Sequence, residues 1–432
     1  MVEETPYVKF TPEMKKTHTI LVPMMLPVHF SLIIPFLQDA GYRVEVLTTT
    51  HQGVIDEGLK NTHNDICYPC MLVIGQMIDA LKSGRYDIEK TALMITQTGG
   101  GCRASNYISL LRKALKNSGF GNVPVLSLNI SGLEKDSSLQ FTLPLLIKTS
   151  FALMYGDMLM WLNNQCRPYE KRSGDTKAVL DKWVEGLGRQ FHSLDFLHVR
   201  KNYREMLADF DGINRDKTPK IKVGIVGEIY MKYAPLGNNC LEEFLIGEGA
   251  EPVVSGVMDF LLYCLSNAET DYKLYGILKP GTILAKIGTW YLRKRQRQMI
   301  RAITEHGVFV PPTPFSRLTE LVEGYIGRGT KMGEGWLLTA EMLELLDSGV
   351  NNIVCTQPFG CLPNHIVAKG MIRKIKDRHP YANIMPIDYD PSATRINQEN
   401  RLKLMLANAR LSVKESDVQQ TERVGEEAFA LR

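Results

Sequence analysis

Eight short runs of this chain are apolar with little alternation, and they limit its folding options more than any other feature. They are HTILVPMM (18–25), YRVEVLTT (42–49), TALMITQT (91–98), VPVLSLNI (123–130), PKIKVGIVGEIY (219–230), AEPVVSGV (250–257), GVNNIVCT (349–356) and NIMPIDYD (383–390). A strand that is apolar on both sides must be covered on both sides, as in a parallel sheet between helical layers. Helical patterns lie between the runs, notably MLVIGQMIDALKSG (71–84) and ASNYISLLRKALKNSG (104–119). Alternation of strand and helix predicts an α/β fold with doubly wound parallel sheets.

The runs fall into two groups, which sets the expected domains. Residues 1–17 form a polar arm, and 18–143 a first α/β domain containing Cys67 and Cys102. Residues 144–215 read as mostly helical, with the amphipathic stretch TKAVLDKWVEGLGRQFHSL, and are expected to bridge two halves. A second α/β domain follows at 216–397 with Cys355 and Cys361, then a helical and charged tail at 398–432, expected to fray. The halves share a plan of strand, helix, strand and cysteine-bearing loop without repeating each other's sequence.

Composition narrows the function classes. The 432 residues are 44% hydrophobic and 23% charged, which suits large buried cores rather than disorder. A net charge of +4 is too small for a strongly basic nucleic-acid binder. The opening MVEETPYVKFTPEMKK has no secretory pattern, and the apolar stretch 20–36 is broken by three prolines and His29. The expectation is a cytoplasmic protein with no membrane span. Eight cysteines in that compartment imply packing, metal binding or redox chemistry rather than a disulfide framework.

The placement of the cysteines is informative. Cys67 and Cys70 lie in NDICYPC before a helical stretch, and Cys102 in TQTGGGCRASNY between strand and helix. Cys355 and Cys361 lie in CTQPFGCLPNH, again between strand and helix. Strand carboxyl ends are the usual ligand sites of open α/β sheets, and helix N-termini there favour negative charge. Such ends stabilise thiolates, and Gly99, Gly100 and Gly101 would let a bulky inorganic group approach the backbone. Cys67, Cys102, Cys355 and Cys361 are therefore the candidate metal ligands. Cys70 and Cys240 can be ligands or core, Cys264 reads as core, and Cys166 is unassigned.

A structural zinc site usually shows two short paired spacings, and this chain has one CxxC. Ligands gathered from distant strand ends suit a cluster held between domains. A zinc site and a redox pair at Cys67 and Cys70 are the competing readings.

Taken together, NDICYP, ITQTGGGCRASNYISLLRKAL, VGEIY, GEGWLLTAEM, CTQPFGCLPNH and DPSATRINQENRLKLML resemble the 2-hydroxyacyl-CoA dehydratase family over about residues 10–411. The nearest likeness is to its activase-associated branch, related to double-cubane cluster proteins. The resemblance implies two Rossmann- or flavodoxin-like domains with a 4Fe–4S cluster between them, or a double-cubane 8Fe–9S cluster. It assigns the ligands to Cys67, Cys102, Cys355 and Cys361. It also implies a separate ATP-dependent activase that injects a low-potential electron, and an acyl-CoA substrate dehydrated through a ketyl radical. A homologous second subunit or a homodimer is the implied assembly. The alternative is a non-catalytic cluster carrier, or a zinc-stabilised binding or regulatory protein.

Several other residues have a chemical reading beside a structural one. Arg103 and Asn106 can donate hydrogen bonds to cluster sulfides or substrate, or simply cap and pack. His63 and His365 can be proton donors or a fourth ligand, or structural histidines. Glu228 in VGEIY can act as a general acid or base, or pair within its loop. The basic run YLRKRQRQ (291–298) can attract an acidic partner or coenzyme A phosphates, or be an exposed helix face. Asp388, Asp390 and Asn397 read as caps or ion pairs.

Overall fold

The computed structural model describes residues 7–97, 101–129, 142–277 and 281–430. All eight expected strands form: β1 (Thr19–Pro23), β2 (Arg43–Leu47), β3 (Thr91–Gln97), β4 (Val125–Asn129), β5 (Ile221–Gly227), β6 (Ala250–Val254), β7 (Asn352–Pro358) and β8 (Asn383–Tyr389). They make two four-stranded parallel sheets of matching order, β2-β1-β3-β4 and β6-β5-β7-β8. The fold is two Rossmann/flavodoxin-like α/β units flanked by helices. In each sheet the order reverses between the first and third strands, and such a switch point opens a crevice at the strand carboxyl ends.

The two units share cores. Leu21 and Leu93 of the first sheet belong to the same buried cluster as Val223, Val354 and Ile387 of the second. A second cluster joins Ile20 and Val22 to Met258, Phe315 and Trp336. The expected bridge supplies much of that second cluster. Its helices, Leu143–Cys166, Asp175–His192 and Val199–Asp211, contribute Tyr155, Met158, Phe191 and Phe210 to it, all at most 1% exposed. The helix Leu143–Cys166 starts a segment, 143–169, apolar and long enough to cross a bilayer, the one such segment among the described residues. Here it packs against the helix Pro27–Asp39, the helix Val257–Tyr275 and β6.

One polar joint fixes this central helix to both units. Asp157 on it is 2% exposed, and its Oδ1 lies 2.9 Å from Nε2 of the fully buried His29 on the first unit's helix Pro27–Asp39. The same carboxylate accepts the backbone N–H groups of Val257 (2.8 Å) and Met258 (2.9 Å), which open the helix Val257–Tyr275 of the second unit. A carboxylate at a helix N-terminus satisfies free amides and complements the helix dipole. Glycines make room for it: a Cβ on Gly156 would strike the His29 ring, and one on Gly256 would strike the Asp157 carboxylate.

Two expectations are revised. The tail does not begin as a fraying end: within the helix Arg395–Ala430, Leu402, Met405 and Leu406 are buried in the shared core. Nor is the basic run 291–298 one exposed face. Gln296 within it is 4% exposed, bonded to Asp259, and Arg295 stacks on Phe151 and Tyr291. Asp390 caps its own turn at Ser392 and Ala393, and Asp388 pairs with Lys369 and Arg401.

Asp157→Ala should strand a buried imidazole and two amides, and breaking such a buried pair costs about 3–5 kcal/mol. Asp157→Asn should be nearly as harmful, since either flip sets an amide NH2 against an N–H donor. Urea unfolding of both variants checks this; wild-type midpoints would mean that the joint contributes little.

Candidate functional site

Three of the candidate cysteines meet where the two crevices face each other. Cys67 precedes the helix Tyr68–Lys82 as its N-cap, with Pro69 at its start, and is 5% exposed. Cys102 follows β3 and caps the short 3-10 turn Arg103–Asn106, which runs into the helix Tyr107–Asn117. Cys361 follows β7 in the loop before the π-helical turn Asn364–Ala368 and is 6% exposed. The Cys67 and Cys361 loops are in direct contact. The Tyr68 N–H donates to the Phe359 carbonyl at 2.9 Å. A Cβ on Gly360 would stand 3.0 Å from the Ile66 carbonyl and 3.1 Å from the Cys67 Cα, and Gly360 has φ +71°, so glycine alone fits. The loop of Gly333 closes the third side, since a Cβ there would lie 3.6 Å from the Cys102 sulfur and 3.0 Å from Pro363.

A backbone N–H near each sulfur favours its thiolate, that of Cys70 for Cys67, of Ala104 for Cys102 and of Asn364 for Cys361, although neither Cys67 nor Cys102 accepts a capping hydrogen bond. The Tyr107 hydroxyl also lies 3.0 Å from the Cys67 sulfur. These donors favour thiolates, but burial outweighs them. It pushes the Cys67 thiol up, Cys102 up to about 12 and Cys361 well above its ordinary value. The sulfurs also act on one another, Cys67 on Cys102 and Cys102 on Cys361. Burial thus keeps the thiols of this group protonated unless a cation compensates their charge.

Two carboxyl groups complete it. Glu228 ends β5 and caps the short helix Ile229–Tyr233, accepting the Met231 N–H at 2.9 Å. Glu334, 7% exposed between Gly333 and Gly335, accepts the Ile229 N–H at 2.9 Å. Burial, then the neighbouring Glu334, raises Glu228 to about 8, and burial raises Glu334 as well. Both carboxyls act on Cys102 and Cys361.

The structure does not bring Cys355 to this group. It sits inside β7, fully buried in a separate apolar cluster with Val226, Leu338 and Met342, its sulfur 3.6 Å from the Asn364 side chain. The strand places it one turn of chain too early, with its side chain on the sheet face under the helix Trp336–Asp347 rather than at the strand end. Cys70 lies behind Cys67, fully buried. Cys240 sits elsewhere, in a left-handed conformation (φ +58°) before the helix Leu241–Gly247. Cys166 is a core residue beside Phe210 and Arg215, and Cys264 packs against the same core. Arg103 and Asn106 are exposed beside Cys102, and the Arg103 charge favours the Cys67 thiolate. His63 is exposed and accepts from the Asp65 N–H within its own turn. His365 is exposed too, with burial of part of its ring and Lys369 lowering its pKa. Gly99 and Gly100 lie outside the described residues.

Sequence reading missed Glu334 and Tyr107 as site residues. The signal for Glu334 was the GEG triplet, since an acid between two glycines with φ of +58° and +48° marks a sharp turn that aims one carboxyl inward. Among the described residues no three His, Cys, Asp or Glu side chains converge on a single ion.

Comparisons of the chain with protein-family models, curated proteins and solved structures return no match.

The raised Glu228 makes a signed prediction. A carboxyl whose folded pKa is about 8 against an ordinary 4.5 binds its proton more tightly in the folded state, so stability is fully present below 4.5 and falls as pH rises toward 8. Glu228→Gln should flatten that fall. Urea midpoints across the same range decide it, and an unchanged slope would remove Glu228 as its source.

Proposed function

We propose that the chain is an iron–sulfur redox protein of the 2-hydroxyacyl-CoA dehydratase type, acting in the cytoplasm. The observation that carries the reading is the meeting of the Cys67 and Cys102 loops of one unit with the Cys361 loop of the other. Three thiolates and a cubane with inorganic sulfide carry net negative charge, and amides directed at sulfur stabilise that charge and raise the reduction potential. These residues fit the group: Cys67 and Cys361 are buried and Cys102 is half-buried, the Tyr107 hydroxyl lies beside Cys67, and the Arg103 charge favours the Cys67 thiolate.

A bound 4Fe–4S cluster would supply one-electron chemistry that side chains cannot. The protein would contribute the remainder. Cys67, Cys102 and Cys361 would hold the cluster, and the nearby backbone N–H groups and the Tyr107 hydroxyl would tune it. Glu228 and Glu334 stand ready to hold or release a proton at its edge. With three thiols converging, one corner is left for a carboxylate or for substrate, such as an acyl-CoA thioester. The electron would come from a separate ATP-dependent activase.

The test is iron and acid-labile sulfide analysis after anaerobic purification, with visible spectra. About four irons and four sulfides per chain are expected for one cubane. Serine at Cys67, Cys102 or Cys361 should abolish the chromophore, whereas Cys355→Ser should keep it. Protein without iron after anaerobic reconstitution would overturn the reading, and loss of iron in Cys355→Ser alone would overturn the ligand set.

A further inference from the structure

Beyond the thiol pocket, the second unit buries more acid than base. VGEIYMK places Glu228 and Lys232 one turn apart, and GEGWLLTAEM places Glu334 and Glu341 two turns apart. Lys232 is 3% exposed, and its ammonium bonds Glu341 Oε1 at 2.8 Å and Ser255 Oγ at 3.0 Å. Ser255 Oγ donates to the same Glu341 oxygen at 2.7 Å. The Lys232 charge also acts on both Glu228 and Glu334 beside the cysteines. One ammonium thus stands between the thiol pocket and Glu341.

On the far side of Glu341 lies a cavity of about 20 Å³, room for one water. Asp259, Glu341, Glu344, Ser255 and Thr313 line it. Glu341 is 2% exposed, and its second oxygen, Oε2, has no hydrogen-bond partner among the described residues. Asp259 is 7% exposed and keeps one bond, from Gln296 at 2.7 Å. Glu344 is half-buried on the solvent side, held by the Thr313 hydroxyl at 2.5 Å. Burial raises Asp259 well above the usual carboxylate range and Glu344 to about 7, so each holds its proton more tightly than a free carboxyl.

We propose that this cavity is a hydrated proton-loading site, in which a water held by Glu341, Glu344 and Asp259 admits a proton from solvent when negative charge is added at the thiol pocket. The coupling rests on the redox reading above: an electron from a one-electron donor enters the pocket, and a solvent proton binds a cavity carboxylate oxygen, with no other bond broken. Lys232 links the two places, because its ammonium is hydrogen-bonded to Glu341 while its charge also acts on Glu228 and Glu334 beside the cysteines, so negative charge added at the thiol pocket is felt at the cavity.

Glu344 is the member that titrates near neutrality. Burial raises it to about 7, opposed by the Thr313 hydrogen bond and aided by the charges of Glu341 and Asp347. Asp259 faces it from the helix Val257–Tyr275, and Arg317 partly neutralises Asp347 at 2.8 Å. A carboxyl raised in this way is protonated below that value and ionised above it.

Infrared spectra of the full-length protein across neutral pH test the site directly. A protonated-carboxyl band should titrate near pH 7 and vanish in Glu344→Gln, an isosteric change outside the thiol pocket. Thr313→Val should move the midpoint upward, since it removes a bond that favours the ionised form. Proton uptake on reduction with dithionite, followed with a pH dye, should fall in Glu344→Gln. A band unchanged in Glu344→Gln, or a dry cavity in a high-resolution crystal structure, would overturn the proposal. Iron-free protein would end the redox reading and the coupling with it, yet a band lost in Glu344→Gln would still establish the loading site, so the two failures are distinguishable.

Discussion

The carboxylate of Asp157 holds the molecule together in a way that apolar burial cannot. Hydrophobic contact is non-directional, so two α/β units with shared cores could slide over one another at little cost. A buried carboxylate that must satisfy His29 on one side and two helix-opening amides on the other admits one arrangement. The facing of the two crevices, and the approach of Cys67 to the Cys361 loop, depend on that arrangement. Glycine at 156 and 256 is the sequence's concession to it, leaving space where any side chain would push the units apart.

The strands were legible because parallel sheets leave an unusually plain trace. Thr91 to Ile95 of β3 and Ile353 to Pro358 of β7 are all buried, so these runs show little of the polar alternation of a half-exposed strand. The shared core was not legible. Burial between units looks the same in sequence as burial within one, so the helix Leu143–Cys166 read as a bridge although it runs through the centre. Likewise the tail's Leu402, Met405 and Leu406 lie among charged residues, and only the sheet beneath them explains their burial.

The site was legible to the extent that strand-to-helix boundaries could be read. Cys67, Cys102 and Cys361 all stand at such boundaries, where amides are free. Cys355 was grouped with them because the strand was read as ending there, but β7 runs on to Pro358 and Cys355 stays inside it, buried in an apolar cluster. Glu228 was visible as an acid at a strand end. Glu334 was hidden, because its partnership with Glu228 spans the fold and leaves only a glycine on either side as a mark.

The contact between Tyr68 N–H and the Phe359 carbonyl carries a consequence for how the protein is made. The three sulfurs come from the first quarter and the last quarter of the chain, and neither unit alone presents more than two of them. Whatever they hold has no complete cradle on the ribosome until the second unit has emerged and docked. A group that needed all three sulfurs could therefore bind only after both units had folded and the two cysteine loops had met.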